Sequence, residues 1–284
     1  MPRRLRAVRR APIAWMLVLA AALTSCAAPE FRMDARFRSG ETRDYRLVAD
    51  ADVIITAGAA STSEHSHLVA LARIDVVSTT PQGSTITLTI TAQSLTRDGK
   101  KTSAPPPQQV GLNVGPDGRV TQVTSAGQDL SLDAADIEDL VPLIGPPVPD
   151  HRVHLGDRWR VSPALPTPTP SASPSTSPSP STSPTPSSEE ARLAALRVVD
   201  HFDCAIVAVS TRRPVVRNRL IGGQPLELDG VEYAATEIAF AFRIGFPVTV
   251  RSNSEARLQV AGSAQGGSVD ISTTTALTLL KRSV

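Results

Sequence analysis

Apolar and polar side chains alternate with a period of two over long stretches of this chain. Residues 85–91 read Thr-Ile-Thr-Leu-Thr-Ile-Thr, which puts Ile86, Leu88 and Ile90 on one side of an extended strand and four threonines on the other. The longest run covers residues 238–250. Ile238, Phe240, Phe242, Ile244, Phe246, Val248 and Val250 share one parity, and Ala239, Ala241, Arg243, Gly245, Pro247 and Thr249 take the other. At about 3.3 Å per residue an unbroken strand of this length spans roughly 40 Å. Pro247 cannot donate to a ladder and predicts an edge or a bulge. A third run carries Val269, Ile271, Thr273, Thr275, Leu277 and Leu279. Residues 68–77 also read as a strand, with a slip of parity near Arg73 that predicts a bulge.

Alternation of this kind implies sheets with one apolar and one polar face, and hence antiparallel pairing. Helical signals are few. Asp133 caps a short stretch with Ile137, Leu140 and Val141 at helical spacing, stopped by Pro142, and a second short turn opens at Ser188-Glu189-Glu190. Turn chemistry occurs at Asp98-Gly99, Asp117-Gly118, Gly222-Gly223, Asp229-Gly230 and Gly266-Gly267. The expected fold is mainly β: a curved antiparallel sheet or half-closed barrel with one or two short helices. No element is long enough to cover a large sheet, so the apolar face is buried by curling or by a ligand. Ile238, Phe240, Phe242, Ile244 and Phe246 form the candidate apolar ligand face.

Composition changes abruptly at residues 163–188, which are almost only Pro, Ser and Thr, with nine prolines and no charge. Such a segment buries too little apolar surface to offset its ordering entropy, and reads as a disordered Pro/Ser/Thr-rich linker or insertion. As a polyproline spacer at about 3.1 Å per residue it would reach roughly 80 Å. Ser/Thr clusters beside Pro are also the composition of O-glycosylated stalks. The segment separates a β-rich first half, 37–162, from a β-rich second half, 189–284. Two tethered β domains, or one β fold carrying a long insertion, both fit. The strand-like Asp157-Arg158-Trp159-Arg160-Val161 at the end of the first half needs a neighbour, which favours one fold.

Five arginines (Arg3, Arg4, Arg6, Arg9, Arg10) precede a 13-residue apolar run at 11–23, which ends in Leu23-Thr24-Ser25-Cys26. A spanning helix needs roughly 20 apolar residues, so the run is too short for one. Basic head, short apolar middle and small residues before a cut are the parts of an export signal. The arginine pair Arg9-Arg10 leads into Ala-Pro-Ile, which leaves the export route open. Residues 1–25 read as a signal peptide ending at Ser25. Residues 26–36 are a tether. The arginines of the signal also mask the balance of the remainder: without them 24 basic side chains face 27 acidic ones, net −3. Nothing in that balance favours nucleic acid as a partner.

Candidate chemistry is sparse. There is no Gly-x-Ser-x-Gly elbow, no Ser-x-x-Lys and no His-Glu-x-x-His, and Gly115-Pro116-Asp117-Gly118 is turn chemistry rather than a phosphate loop. His65 and His67 would share a strand face beside Glu64, but residues 61–67 read as an exposed polar turn. Asp150, His151, His154 and Asp157 form a second short cluster, and His201-Phe202-Asp203-Cys204 would alternate sides of a strand. No catalytic, metal or cofactor site is assigned. Two cysteines exclude a disulfide framework by count alone, and Cys204 reads as a small buried hydrophobe. Residues 212–219 carry Arg212, Arg213, Arg217 and Arg219, a patch suited either to anionic headgroups or to a solvated hairpin rim balanced by nearby acids.

The Leu23-Thr24-Ser25-Cys26 ending resembles the lipobox of bacterial lipoproteins. The resemblance implies a thioether-linked diacylglycerol on Cys26, which becomes the first residue of the mature chain. Such a protein is held by lipid at the outer face of the cytoplasmic membrane or in the cell envelope. The body resembles a bacterial envelope family of unknown function. The likeness rests on Phe37-Arg38-Ser39-Gly40-Glu41-Thr42-Arg43-Asp44-Tyr45, on Asp117-Gly118-Arg119-Val120, and on a proline-rich turn preceding Val153-x-x-Gly156-Asp157-x-Trp159. That family brings no activity and no catalytic residues. In the Gly156-Asp157-x-Trp159 element, glycine permits the turn, aspartate bonds its backbone and tryptophan plugs the core. By architecture alone the chain is also similar to lipoprotein carriers whose half-closed sheet holds acyl chains. The expected function is a non-catalytic binding or structural role at the envelope, toward a hydrophobic ligand or an envelope protein. The alternative is an unrecognised envelope hydrolase or metal-dependent enzyme.

Overall fold

The computed structural model describes residues 30–125, 144, 146–161, 187–221, 224–260 and 267–283. The signal peptide, Ser25 and Cys26, the predicted helix at 131–143, the Gly222-Gly223 turn and the Pro/Ser/Thr-rich segment lie outside the described residues, apart from Ser187 and Ser188. Twelve strands form one antiparallel sheet. They are β1 (Thr42–Ala57), β2 (Ala60–Thr80), β3 (Gly83–Arg97), β4 (Lys100–Thr102), β5 (Gln108–Val114), β6 (Val120–Ser125), β7 (Arg158–Arg160), β8 (Ser188–Val199), β9 (Phe202–Ile221), β10 (Gln224–Ala241), β11 (Phe246–Val260) and β12 (Gly267–Ser283). The order is β6-β5-β3-β2-β1-β12-β11-β10-β9-β8-β7, with β4 paired to β3. No helix occurs among the described residues. The expected turn at Ser188-Glu189-Glu190 is the start of β8, where Glu190 pairs with Ser210. The lone β-like segment at 157–161 finds its neighbour across the Pro/Ser/Thr-rich segment: Trp159 of β7 lies opposite Ala191 of β8.

The sheet curls without closing, because β6 and β7 remain its two edges. One core cluster takes in Ile86 and Leu88 of β3, Val110 and Leu112 of β5, Leu193 of β8, Val207 of β9 and Leu277 of β12. The inward residues of strands far apart in the order therefore meet in one interior. The alternation read at 85–91 holds, with Ile86 and Leu88 fully buried and the threonines half-buried on the other face. In β2 the parity does not slip at Arg73. Ala70, Ala72, Ile74 and Val76 are all buried and Arg73 is exposed. The register shifts lie on either side, between Val69 and Ala70 and between Val76 and Ser78. The polar residues 61–67, expected as an exposed turn, extend β2 as a strand opposite residues 50–56.

The run at 238–250 is two strands rather than one. β10 ends at Ala241, a turn occupies residues 242–245, and β11 starts at Phe246. The four-residue turn sets Phe246 opposite Ala241, so Phe246 and Val248 lie on the other face from Ile238 and Phe240; the apolar alternation runs on through the reversal because both faces are covered here. Pro247 pairs with Phe240 beside a register shift, the bulge that a residue without a donor requires. At this end both faces of β9 and β10 are covered. Ala205, Val207, Ile238 and Phe240 join the main core, while Cys204, Ile206, Ala239 and Ala241 form a second cluster with Phe246 and Val248. A third cluster at the opposite end holds Val215, Leu228, Ala256, Leu258 and Val269.

Residues 30–36, expected as a tether, are part of the folded body. Phe31 forms an isolated β-bridge with Val153, and Met33 is fully buried in the main core. Two turns close directly onto this segment. Gly245 (φ +81°) and Gly118 (φ +79°) each approach so tightly that a Cβ would fall 2.7 Å from Arg36 and 2.5 Å from the Ala35 side chain, respectively.

Candidate functional site

The gap between the two edges of the sheet is a cleft of about 820 Å³. One wall is the β5–β6 turn with Pro116, Asp117 and Arg119; the other is β7 with Arg158, Trp159 and Arg160. Residues 32–35 and 148–151 fill the space between. The floor is apolar, with Met33, Val148 and Trp159 nearly fully buried. The rim is charged. Arg32 Nε donates to Asp34 Oδ1 at 3.0 Å, and Arg158 Nη1 donates to Glu190 Oε1 at 2.9 Å. Arg119 Nε lies 3.5 Å from Asp117 Oδ2 without a hydrogen bond. The cleft thus combines these guanidinium groups at the mouth, each beside a carboxylate, with a base of nearly buried apolar side chains.

The Gly156-Asp157-x-Trp159 element builds one wall as its residue types predict. Asp157 Oδ2 accepts the His154 backbone N–H at 2.7 Å, and Trp159 Nε1 donates to the Pro147 carbonyl at 2.9 Å. That bond to the His154 backbone is the main reason the Asp157 carboxyl sits below its ordinary pKa. Gly156 takes φ +96° in the turn.

The five residues of the candidate apolar face do not line an open surface. Ile238 and Phe240 are fully buried in the main core, and Phe242 packs against that core. Ile244 and Phe246 belong to the second cluster. The reversal at 242–245 divides the set, and the protein's own N-terminal segment occupies the concavity. Phe31 meets Phe242 edge to face, with ring centroids 5.8 Å apart.

The histidines settle into carboxylate pairs. On β2, His65 Nδ1 is 2.8 Å from Asp52 Oδ1, and His67 Nδ1 is 2.6 Å from Asp50 Oδ1. His151 Nδ1 is 2.8 Å from Asp150 Oδ1, and His201 lies in the β8–β9 turn rather than on a strand. No group of three or more His, Cys, Asp or Glu able to hold a metal occurs among the described residues. The hydrogen bond to Asp52 raises the His65 pKa above the ordinary 6.5. An NMR titration of the His65 ring is expected to show this, and Asp52→Asn to return it toward the ordinary value; an unshifted ring in the parent protein would mean that the pair does not form in solution.

Cys204 is buried, and that burial pushes its thiol up to about 11. Of the arginine-rich strand, Arg213 is bonded to Glu232 at 2.9 Å with both side chains largely buried, and Arg212 lies over the Tyr233 ring. This part of the patch is balanced by the acids of the neighbouring strand.

The cleft has no signature in local sequence, because its residues come from four separated segments. Trp159 and the prolines around 147 were the visible part. Arg119, at the far edge of the sheet, is added only by the curl.

No protein-family model matches the chain, and a search of the curated proteins found no match. Among solved structures, one of lipovitellin, concerned with its lipid–protein interactions, is similar at 10% identity and a TM-score of 0.44 over 87% of this chain. The chain spans 26% of that lipovitellin chain. A protein of Bacteroides fragilis assigned as exported, with a YmcC-like fold, is similar at 10% identity and a TM-score of 0.20, over 89% of this chain and 100% of that one.

Proposed function

We propose that this chain is a lipoprotein anchored through Cys26 in the extracytoplasmic envelope, where it has a non-catalytic binding role, and that the cleft between the sheet edges takes a ligand with a hydrophobic part. The observation that carries the binding role is the cleft itself: an apolar base of Met33, Val148 and Trp159 beneath a charged rim of arginines and aspartates. The ligand enters between the sheet edges and not over Ile238, Phe240 and Phe246, whose side chains are already engaged in the interior. The anchor rests on Leu23-Thr24-Ser25-Cys26.

Two measurements test this. Cys26→Ser is expected to abolish labelling by radioactive fatty acid and to leave the signal uncleaved by the lipoprotein pathway; unchanged labelling would remove the anchor. Native mass spectrometry of the mature protein released from detergent is expected to show a bound amphiphile, and Trp159→Asp to lose it. A ligand-free mass for the parent protein under conditions that retain lipids on a known carrier counts against the binding role.

A further inference from the structure

The N-terminal segment enters the body at one end of the curled sheet. Beside the Phe31–Phe242 contact, Arg36 donates its backbone N–H to Gly245 O at 3.0 Å and its Nη1 to Arg243 O at 3.1 Å. By register, the β2–β3 turn, the β8–β9 turn and the last residues of β12 lie at this same end. Three of the exposed large apolar side chains stand at this end. Val198 is 70% exposed, Val77 61% and Leu280 58%. Val77 stands at the shift between Val76 and Ser78, and Leu280 at the shift between Leu279 and Lys281. Single exposed apolar residues are ordinary on any surface. Here three stand around one end, while Ile54 and Val216 lie toward the opposite one. Exposed Arg38 and Lys281 stand among the three, as does exposed Asp200 of the β8–β9 turn, and neither cation is in an ion pair with a described residue.

Cys26 precedes Phe31 by five residues. At no more than about 3.6 Å per residue, that stretch holds this end within roughly 18 Å of a lipid-bearing Cys26. Isolated apolar side chains interspersed with long basic ones suit the headgroup layer, where the apolar groups reach past the phosphates and the cations meet them. We infer that the end of the sheet bearing residues 242–245 seats directly on the bilayer, with Val77, Val198 and Leu280 entering the headgroup layer and Arg38 and Lys281 against lipid phosphates. The inference rests on the anchored reading above and adds to it a defined orientation, which places the mouth of the cleft, through Arg32 and Asp34, beside the membrane surface.

The test uses the full mature protein, acylated on Cys26, in vesicles of equal parts phosphatidylglycerol and phosphatidylcholine. An environment-sensitive fluorophore is placed at Val198→Cys or, at the opposite end, at Val216→Cys; native Cys204 is buried. Nitroxide lipids labelled near the headgroup are expected to quench the probe at 198 several-fold more than the probe at 216. Equal, weak quenching in protein that floats with the vesicles would overturn the seated orientation and leave the anchor intact. Protein that does not float overturns both.

Discussion

Glu41→Gln is expected to be among the most damaging single substitutions in this protein, at a cost of about 3–5 kcal/mol, the range for removing one partner of a buried ion pair. Glu41 and Arg43 sit two apart at the start of β1 and share a face, and both are fully shielded from solvent. Glu41 Oε1 accepts from Arg43 Nε at 2.8 Å and from Arg282 Nε, at the end of β12, at 2.6 Å. One carboxylate oxygen therefore accepts from two guanidinium groups, which leaves the trio with one positive charge in excess, while Oε2 makes no hydrogen bond. Arg43 is further held by Nη2 on the Arg36 carbonyl at 2.6 Å and lies over the Phe37 and Phe246 rings at 5.1 and 4.8 Å. The glutamine variant keeps the shape and removes the charge, leaving Arg43 desolvated without an anion. Urea unfolding at neutral pH checks the magnitude; a loss below about 1 kcal/mol would place the pair in a far more polar setting than its burial implies.

The same pair makes stability depend on pH in the acid range. Burial alone pushes the Glu41 carboxyl up, but the hydrogen bonds and charges of Arg43 and Arg282 outweigh it, and the folded-state pKa lies below the ordinary 4.5. An acid with a lowered folded pKa binds fewer protons folded than unfolded. Its stabilisation is complete above about 4.5 and is lost as pH falls through the folded value. Unfolding free energy is expected to drop below that pH in the parent protein, and more shallowly in Glu41→Gln, which has already lost the interaction.

Gly230→Ala is the second large effect, expected at about 3 kcal/mol, the upper end of the cost of forcing atoms into a packed interior. Gly230 lies within β10 opposite Leu258 of β11. A Cβ there would fall 2.0 Å from the Arg257 carbonyl oxygen and 2.9 Å from Leu258 Cα. Those are backbone atoms of a paired strand and cannot rotate away, so the β10–β11 ladder must part beside Leu228 and Leu258. Gly58→Ala is the control: nothing lies within 4 Å of its Cβ, but φ is +60°, so only backbone strain of about 1 kcal/mol is expected. Equal losses in thermal unfolding of the two variants would show that the β10–β11 approach relaxes in solution.

Gly230 also shows where sequence reasoning stopped. Asp229-Gly230 has the composition of a hairpin turn, but here glycine admits a neighbouring backbone in mid-strand, which is a demand of tertiary structure. The reversal at 242–245 was hidden for a different reason: both faces of the flanking strands are apolar, so alternation carries no information about which side is inside. Where one face is wet, as at 85–91 and in β12, the period of two located the strand and its inward residues correctly. The Glu41–Arg43 spacing was visible as a motif, but the third partner, Arg282, is 241 positions away from Glu41. The cleft likewise depends on how far the sheet curls, a property of all the strands together.

The central position of β12 has a bearing on how the chain folds. β1, made early, has β12 as one of its two permanent neighbours, across Thr42↔Ser283 and Ala57↔Gly267. Until those last residues are available the early meander β1–β6 and the late meander β7–β11 are separate ribbons, each with a bare flank. Joining them closes a loop of more than two hundred residues, which favours slow, late assembly. Shortening the polypeptide by its final strand would leave two ribbons of one chain, with apolar contacts such as Phe31–Phe242 between them but no ladder joining β1 to β11.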